Sequence, residues 1–171
     1  MIATGIAFAA QMNIAVAEDT ATKEMAKEAT PAMEKKEKMA KKADVEVTIE
    51  GNDSLKFDKE AFTVKEGQTV ALTFKNVGKL PKVAMGHNLI VLKAGTVVPT
   101  FAMACIPNAQ TTGLPNEEEL KKQVIAASKV LGPDESETIT FTAPAAGEYP
   151  YLCSFPGHFG VMKGVMKVEA K

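Results

Sequence analysis

Cysteine and histidine are scarce in this chain: its 171 residues hold 2 Cys and 2 His. One of each falls in the stretch YLCSFPGHFGVMKGVMKV, residues 151–168, where Cys153 is followed by His158 and then by Met162. A thiolate, an imidazole and a thioether are soft to borderline donors, a set that suits copper rather than magnesium, calcium or manganese. Three donors on one short loop do not fix a metal firmly. The remaining histidine, His87 in MGHNLIVL, is the expected further ligand. Two His and one Cys in a trigonal plane, with a weak axial Met, form the ligand set of electron-transfer copper centres. A site held between the geometries preferred by Cu(II) and Cu(I) moves little when an electron arrives, which permits fast transfer.

Each residue also has a plainer reading. A lone histidine is more often a hydrogen-bonded or surface residue, and a lone cysteine more often a small buried hydrophobe. Met166 competes with Met162 as the sulfur donor, but lies inside the expected last strand, where folding back to the loop is harder. What favours the metal reading is the coincidence, since every His and one of the two Cys fall in the pattern. Cys105 is left over, as an inert buried thiol or a site of intermolecular pairing.

These side chains need a scaffold that brings distant segments together. From Val45 the sequence alternates, with Val45, Val47 and Ile49 on one face and a Gly51-Asn52 turn after them. Further short strands are expected at residues 55–57, 61–64, 69–74, 88–92, 137–141, 147–153 and 165–169, separated by Gly, Pro, Asn and Asp. Many short strands with turn chemistry between them point to a β-sandwich or barrel. One segment departs: in LPNEEELKKQVIAASKVLG acids precede lysines, and Leu120, Val124 and Ala127 share helical spacing. This predicts a helix of a few turns packed as a flap outside the sheets.

The run CSFPGHFGVMKG resembles the azurins, which share its C-x4-H-x3-M spacing and its M-K-G ending. GNDSLKF, FTV and LPKVAMGHN also look like the azurin pattern, extending the resemblance over residues 44–171, while GEYPYLCSFPGH and the flap look closer to auracyanin-like relatives. The resemblance implies an all-β, cupredoxin-like Greek-key β-sandwich of about eight strands holding one type 1 copper per chain. By position it implies His87, Cys153 and His158 as equatorial ligands, Met162 as a long axial sulfur and the Gly86 carbonyl as a distant axial oxygen. It further implies that Asn88 ties the ligand-bearing segments together and donates towards the Cys153 sulfur, with the Phe155 N–H doing likewise. Such bonds draw charge from the thiolate and raise the potential. Leu80, Met85, Phe155, Pro156 and Phe159 would form an apolar docking patch around His158, unless Phe155 and Phe159 are core. The sequence departs from the azurin pattern where Val45 and Gln68 replace its disulfide and Leu89 replaces an aromatic.

Composition and address complete the expectations. The formal charge is −1 and Arg is absent, which disfavours nucleic acid, whose contacts rely on it. An apolar run ending in Ala15-Val16-Ala17 reads as a signal peptide over residues 1–17, although no basic residue precedes it and Gln11 and Asn13 interrupt it. Retained, it would anchor the protein to a membrane; nothing later is apolar for long enough to span one. Residues 18–43, rich in Ala, Lys, Glu, Thr and Met, read as a tether with too little apolar surface to fold alone. The expected protein is a monomeric, periplasmic one-electron carrier, not an enzyme, exchanging electrons with cytochromes or copper oxidoreductases. The alternative is a copper delivery module using Met25, Met33 and Met39 of the tether. A multicopper enzyme is disfavoured, because no further His remains for a second site.

Overall fold

The computed structural model describes residues 42–171; the expected signal peptide and nearly all of the tether lie outside the described residues. Two sheets form the sandwich. One has the order β2-β1-β4-β7, from β1 (Val45–Asn52), β2 (Lys56–Phe57), β4 (Thr69–Asn76) and β7 (Ser136–Thr142). The other has the order β3-β9-β8-β5-β6, from β3 (Ala61–Lys65), β5 (Ile90–Leu92), β6 (Val124–Ala127), β8 (Gly147–Leu152) and β9 (Lys163–Glu169). Pairs β1·β4 and β3·β9 are parallel and the rest antiparallel, so the chain crosses repeatedly between sheets in Greek-key fashion. The nine strands include the two-residue β2, so the expected sandwich stands with one short strand more.

Alternation builds the core. Val70, Leu72 and Phe74 of β4 point inward and meet Ile49 of β1, Phe141 of β7, Tyr149 and Tyr151 of β8, and Met166 and Val168 of β9. Phe57 stands edge-on to Phe74 and tilts against Tyr151, closing the region between sheets with aromatic contacts. Burial of each such side chain contributes about 1.5–3 kcal/mol. Met166 belongs to this core, opposite Tyr149 in the β8·β9 register.

β5 is buried on both faces. Leu89 and Val91 face the sandwich core, whereas Ile90 and Leu92, with Leu152 of β8, face a second cluster containing Phe101, Ala102 and Cys105. These three come from a helix over Val98–Cys105, followed by a 3₁₀ turn at Ile106–Asn108. Helices α1 (Lys82–Met85), α2 (Val98–Cys105) and α3 (Glu118–Lys121) are all short.

The expected short helical insert stands, but the extent of its helix is corrected. Only Glu118–Lys121 is helical, held by Lys121–Glu118 and Lys122–Glu119 ion pairs, and Val124–Ala127 is strand β6. The open edge of β5 decides this, because Val124, Ala126 and Ala127 pair there with Leu92, Val91 and Ile90, flanked by the Lys93 N–H to Gln123 O and Ser128 N–H to Leu89 O bonds. The principal helix of the insert lies earlier, at α2, where a strand-like apolar run carries Pro99 in its first turn. Strand ends also shift: β8 stops at Leu152, releasing Cys153 into the loop, and Asn88 precedes β5.

Candidate metal centre

His87 is placed by backbone. It forms an isolated antiparallel bridge with Leu131, its N–H donating to Leu131 O at 3.1 Å and its carbonyl accepting from Leu131 N at 2.7 Å. Gly86 before it admits no side chain, since a Cβ would lie 2.7 Å from Val130 Cγ1 and 3.1 Å from Phe155 Cε2. Asn88 after it is fully buried and grips the other segment, with Ser154 N donating to its Oδ1 at 2.8 Å and its Nδ2 donating to Ser154 Oγ at 2.9 Å. Asn88 thus ties the neighbours of His87 and Cys153.

The loop from Cys153 to Met162 closes on itself. Cys153 N donates to Met162 O at 3.0 Å, His158 N to Phe155 O at 3.0 Å, and Met162 N to His158 O at 2.8 Å. The Pro156-Gly157 turn reverses the chain, and Gly157 has φ +83°, a left-handed conformation unfavourable for other residues. Met162 is wholly buried with Cys153 and Phe155, and β9 starts directly after it.

This scaffold brings His87, Cys153 and His158 together, all buried, with ligand atoms within 4.8 Å of one another. The Cys153 Sγ lies 3.9 Å from His87 Nδ1 and 3.6 Å from His158 Nδ1. Nitrogen and sulfur bonded to a first-row metal at about 2.0–2.3 Å, with near-trigonal angles, stand roughly 3.7 Å apart. The donor set therefore fits copper in spacing as well as chemistry. The two imidazole rings sit 4.9 Å apart, and Phe155 packs on the His158 ring at 4.8 Å.

The protonation pattern suits a site that binds a cation. Burial pushes the Cys153 thiol up to about 12, against the opposing effect of the Asn88 and Phe155 backbone N–H groups that face its sulfur. Burial lowers His158 to about 4, with His87 adding to the effect; burial likewise lowers His87, partly offset by the Asp53 charge. Both rings are thus neutral donors at pH 7, and a bound cation would displace the thiol proton. Among the described residues, His87 Nε2 is a buried polar atom without a partner.

Around the site, Leu80 and Pro156 are exposed, and Met85 and Phe159 are half-buried. Phe155 is 6% exposed and His158 4%, and the two rings pack against each other. Phe159 turns part of its surface towards the second core cluster. Exposed Val83 and Val161 are additional apolar residues that the sequence reading did not single out. Ser154 was also missed; its adjacency to the ligand cysteine is the only sequence signal for it.

A sequence profile for copper binding proteins of the plastocyanin/azurin family matches residues 43–169. The chain belongs to that family. It is 40% identical to Azurin-1 of Alcaligenes xylosoxydans xylosoxydans over 132 residues, which cover 74% of this chain and 98% of that protein. It is 39% identical to Auracyanin-A of Chloroflexus aurantiacus over 129 residues, 72% of this chain and 75% of that one. The crystal structure of dithionite-reduced auracyanin from Roseiflexus castenholzii is similar with a TM-score of 0.66 and 40% identity, covering 74% of this chain and 98% of that one. With the His–Cys–His cluster in place, this plastocyanin/azurin family member is a blue copper electron-transfer protein whose cofactor is copper. Among the described residues, no helix is long and apolar enough to cross a membrane.

Proposed function

We propose that the protein is a one-electron carrier outside the cytoplasm in which His87, Cys153 and His158 would hold the copper. Met162 would offer its thioether sulfur and Gly86 its carbonyl oxygen to the same ion. The observation that carries this reading is the buried triangle of Cys153 Sγ and the two Nδ1 atoms, with Met162 bonded through its backbone to the same loop. Copper bound there would supply single-electron exchange between Cu(II) and Cu(I). The chain's own residues do the rest. Burial of all three donors keeps water away, and the closed loop holds them so that little rearrangement accompanies a change of charge. The Asn88 and Phe155 N–H groups facing the sulfur stabilise an electron-rich thiolate.

Electrons would pass at the His158 edge, where Leu80, Met85, Pro156 and Phe159 offer a small apolar rim for brief docking with cytochromes or copper oxidoreductases. In this reading residues 1–17 direct export to the periplasm, 18–43 form a tether, and 44–171 act as a monomeric electron-transfer domain without enzymatic activity. Voltammetry of the copper-loaded full chain tests the carrier role. One reversible one-electron wave per chain, stable over repeated cycles, is expected; an absent or irreversible wave would contradict it.

A further inference from the structure

The Ser154 hydroxyl sits where three parts of the molecule meet, and the copper ligand set does not use it. A hydroxyl has one proton to give and lone pairs to receive. Here the proton goes to Gly113 O at 2.6 Å, and the oxygen accepts from Asn88 Nδ2 at 2.9 Å. Ser154 and Asn88 are essentially without solvent exposure and Gly113 is buried, so water cannot stand in for a lost partner.

Gly113 belongs to the insert between β5 and β6 and is rigidly presented. Its N–H donates to Asn108 O at 2.9 Å, and Asn108 Nδ2 donates to Leu114 O at 2.8 Å, closing the turn that aims the Gly113 carbonyl at Ser154. Its φ of +67° lies in the left-handed region, and a Cβ there would stand 2.3 Å from Asn88 Nδ2. The insert therefore touches, through one carbonyl and one absent side chain, the Ser154–Asn88 pair that joins the His87 and Cys153 segments.

We propose that Ser154 and Gly113 are positioning residues: the Ser154 hydroxyl latches the insert onto Asn88, so that seating of the insert sets how firmly Asn88 holds its N–H against the Cys153 sulfur. This rests on the copper-carrier reading above. A loosened Asn88 weakens the bond to the thiolate, which favours the oxidised state and lowers the reduction potential.

The test uses the full chain with Ser154→Ala and Ser154→Thr, read in two ways. In the copper-free protein, amide hydrogen exchange at Asn88 and Gly113 should quicken roughly fivefold to tenfold in Ser154→Ala. In the copper-loaded protein the potential should fall, and Ser154→Thr, which keeps the hydroxyl, should restore both. A Ser154→Ala protein with wild-type potential, or a threonine variant that restores neither, would overturn the latch. If Ser154→Ala does not fold, Gly113→Ala is read in the same assays, since its methyl would press on Asn88 Nδ2 at 2.3 Å and on Ser154 Oγ at 3.0 Å and so disturb the latch from the insert side; unchanged exchange and potential would again overturn it. A wild-type protein with no redox wave would sink the carrier reading instead. The latch would then be judged on copper-free exchange alone, where unchanged protection at Asn88 and Gly113 contradicts it.

Discussion

The ligand loop, residues 153–162, and the insert between β5 and β6 are held in opposite ways. The loop is closed by hydrogen bonds among its own backbone groups, and its reversal needs one glycine at positive φ. The principal helix of the insert, α2, lacks a side-chain cap at its start and is held by Phe101, Ala102 and Cys105 packed on the outer face of β5 and β8. A segment that completes its own bonding is defined by its own few residues. One held by packing is defined by the surface it covers, and that surface lies elsewhere in the chain.

The largest expected effect breaks the loop chemically. Cys153→Ser removes the only thiolate donor, so the blue colour of the copper-loaded protein should vanish and copper affinity should fall by more than about a hundredfold, read by competition with a chelator. A variant that stayed blue would show that another sulfur holds the metal.

Next in size is a cut in the packing. Phe101→Ala opens a cavity in the second cluster and should cost about 3–5 kcal/mol of folding stability in urea, while the ligands and the colour remain. A loss below about 1 kcal/mol would mean that α2 is not part of the cooperative fold.

The third contrast is alkaline. Burial pushes the Cys105 thiol up to about 12 from an ordinary value near 9, and burial also raises Tyr151, with the Asp58 and Glu60 charges adding to it. A folded-state pKa above the unfolded one stabilises the protein fully below the unfolded value and is lost as pH rises towards the folded one. For Cys105 that window runs from about 9 to about 12. Copper-loaded protein should therefore lose stability as pH rises above 9, by at most about tenfold in the folding constant per pH unit from this thiol, and Cys105→Ala should flatten the decline. An unchanged slope in that variant would place the effect elsewhere.

The smallest effect falls on the loop turn. At Gly157 a Cβ would meet nothing within 4 Å, so Gly157→Ala carries only the cost of a left-handed backbone, about 1–2 kcal/mol, measured as a lower melting temperature of the copper-free protein. A substantially larger loss would reveal a steric role.

The same contrast explains what could be read from the residues alone. Cys153, His158 and His87 stood out because they are rare, and the alternating Val45, Val47 and Ile49 marked β1, whose inner face packs on the core. The insert was misjudged where local and distant effects compete. Leu120, Val124 and Ala127 do share helical spacing, but the edge of β5 takes Val124–Ala127 as a strand. VPTFAMAC carries no charge to orient a helix, and short apolar runs do not distinguish helix from strand. A usable signal was the unbroken run Leu89-Ile90-Val91-Leu92. A strand apolar on both faces requires a cover on each, and the second cover is α2. Ser154 and Gly113 stayed hidden because their roles depend on a contact across 41 residues of sequence.

The central claim is that one copper is held by His87, Cys153, His158 and Met162. Titration of the copper-free full chain with Cu(II), followed by visible absorption and then by reductant, tests it most directly. An intense blue band should grow linearly to one copper per chain, stop there, and bleach reversibly on reduction. A protein that remains colourless at saturating copper, or whose band saturates at another stoichiometry, would contradict it.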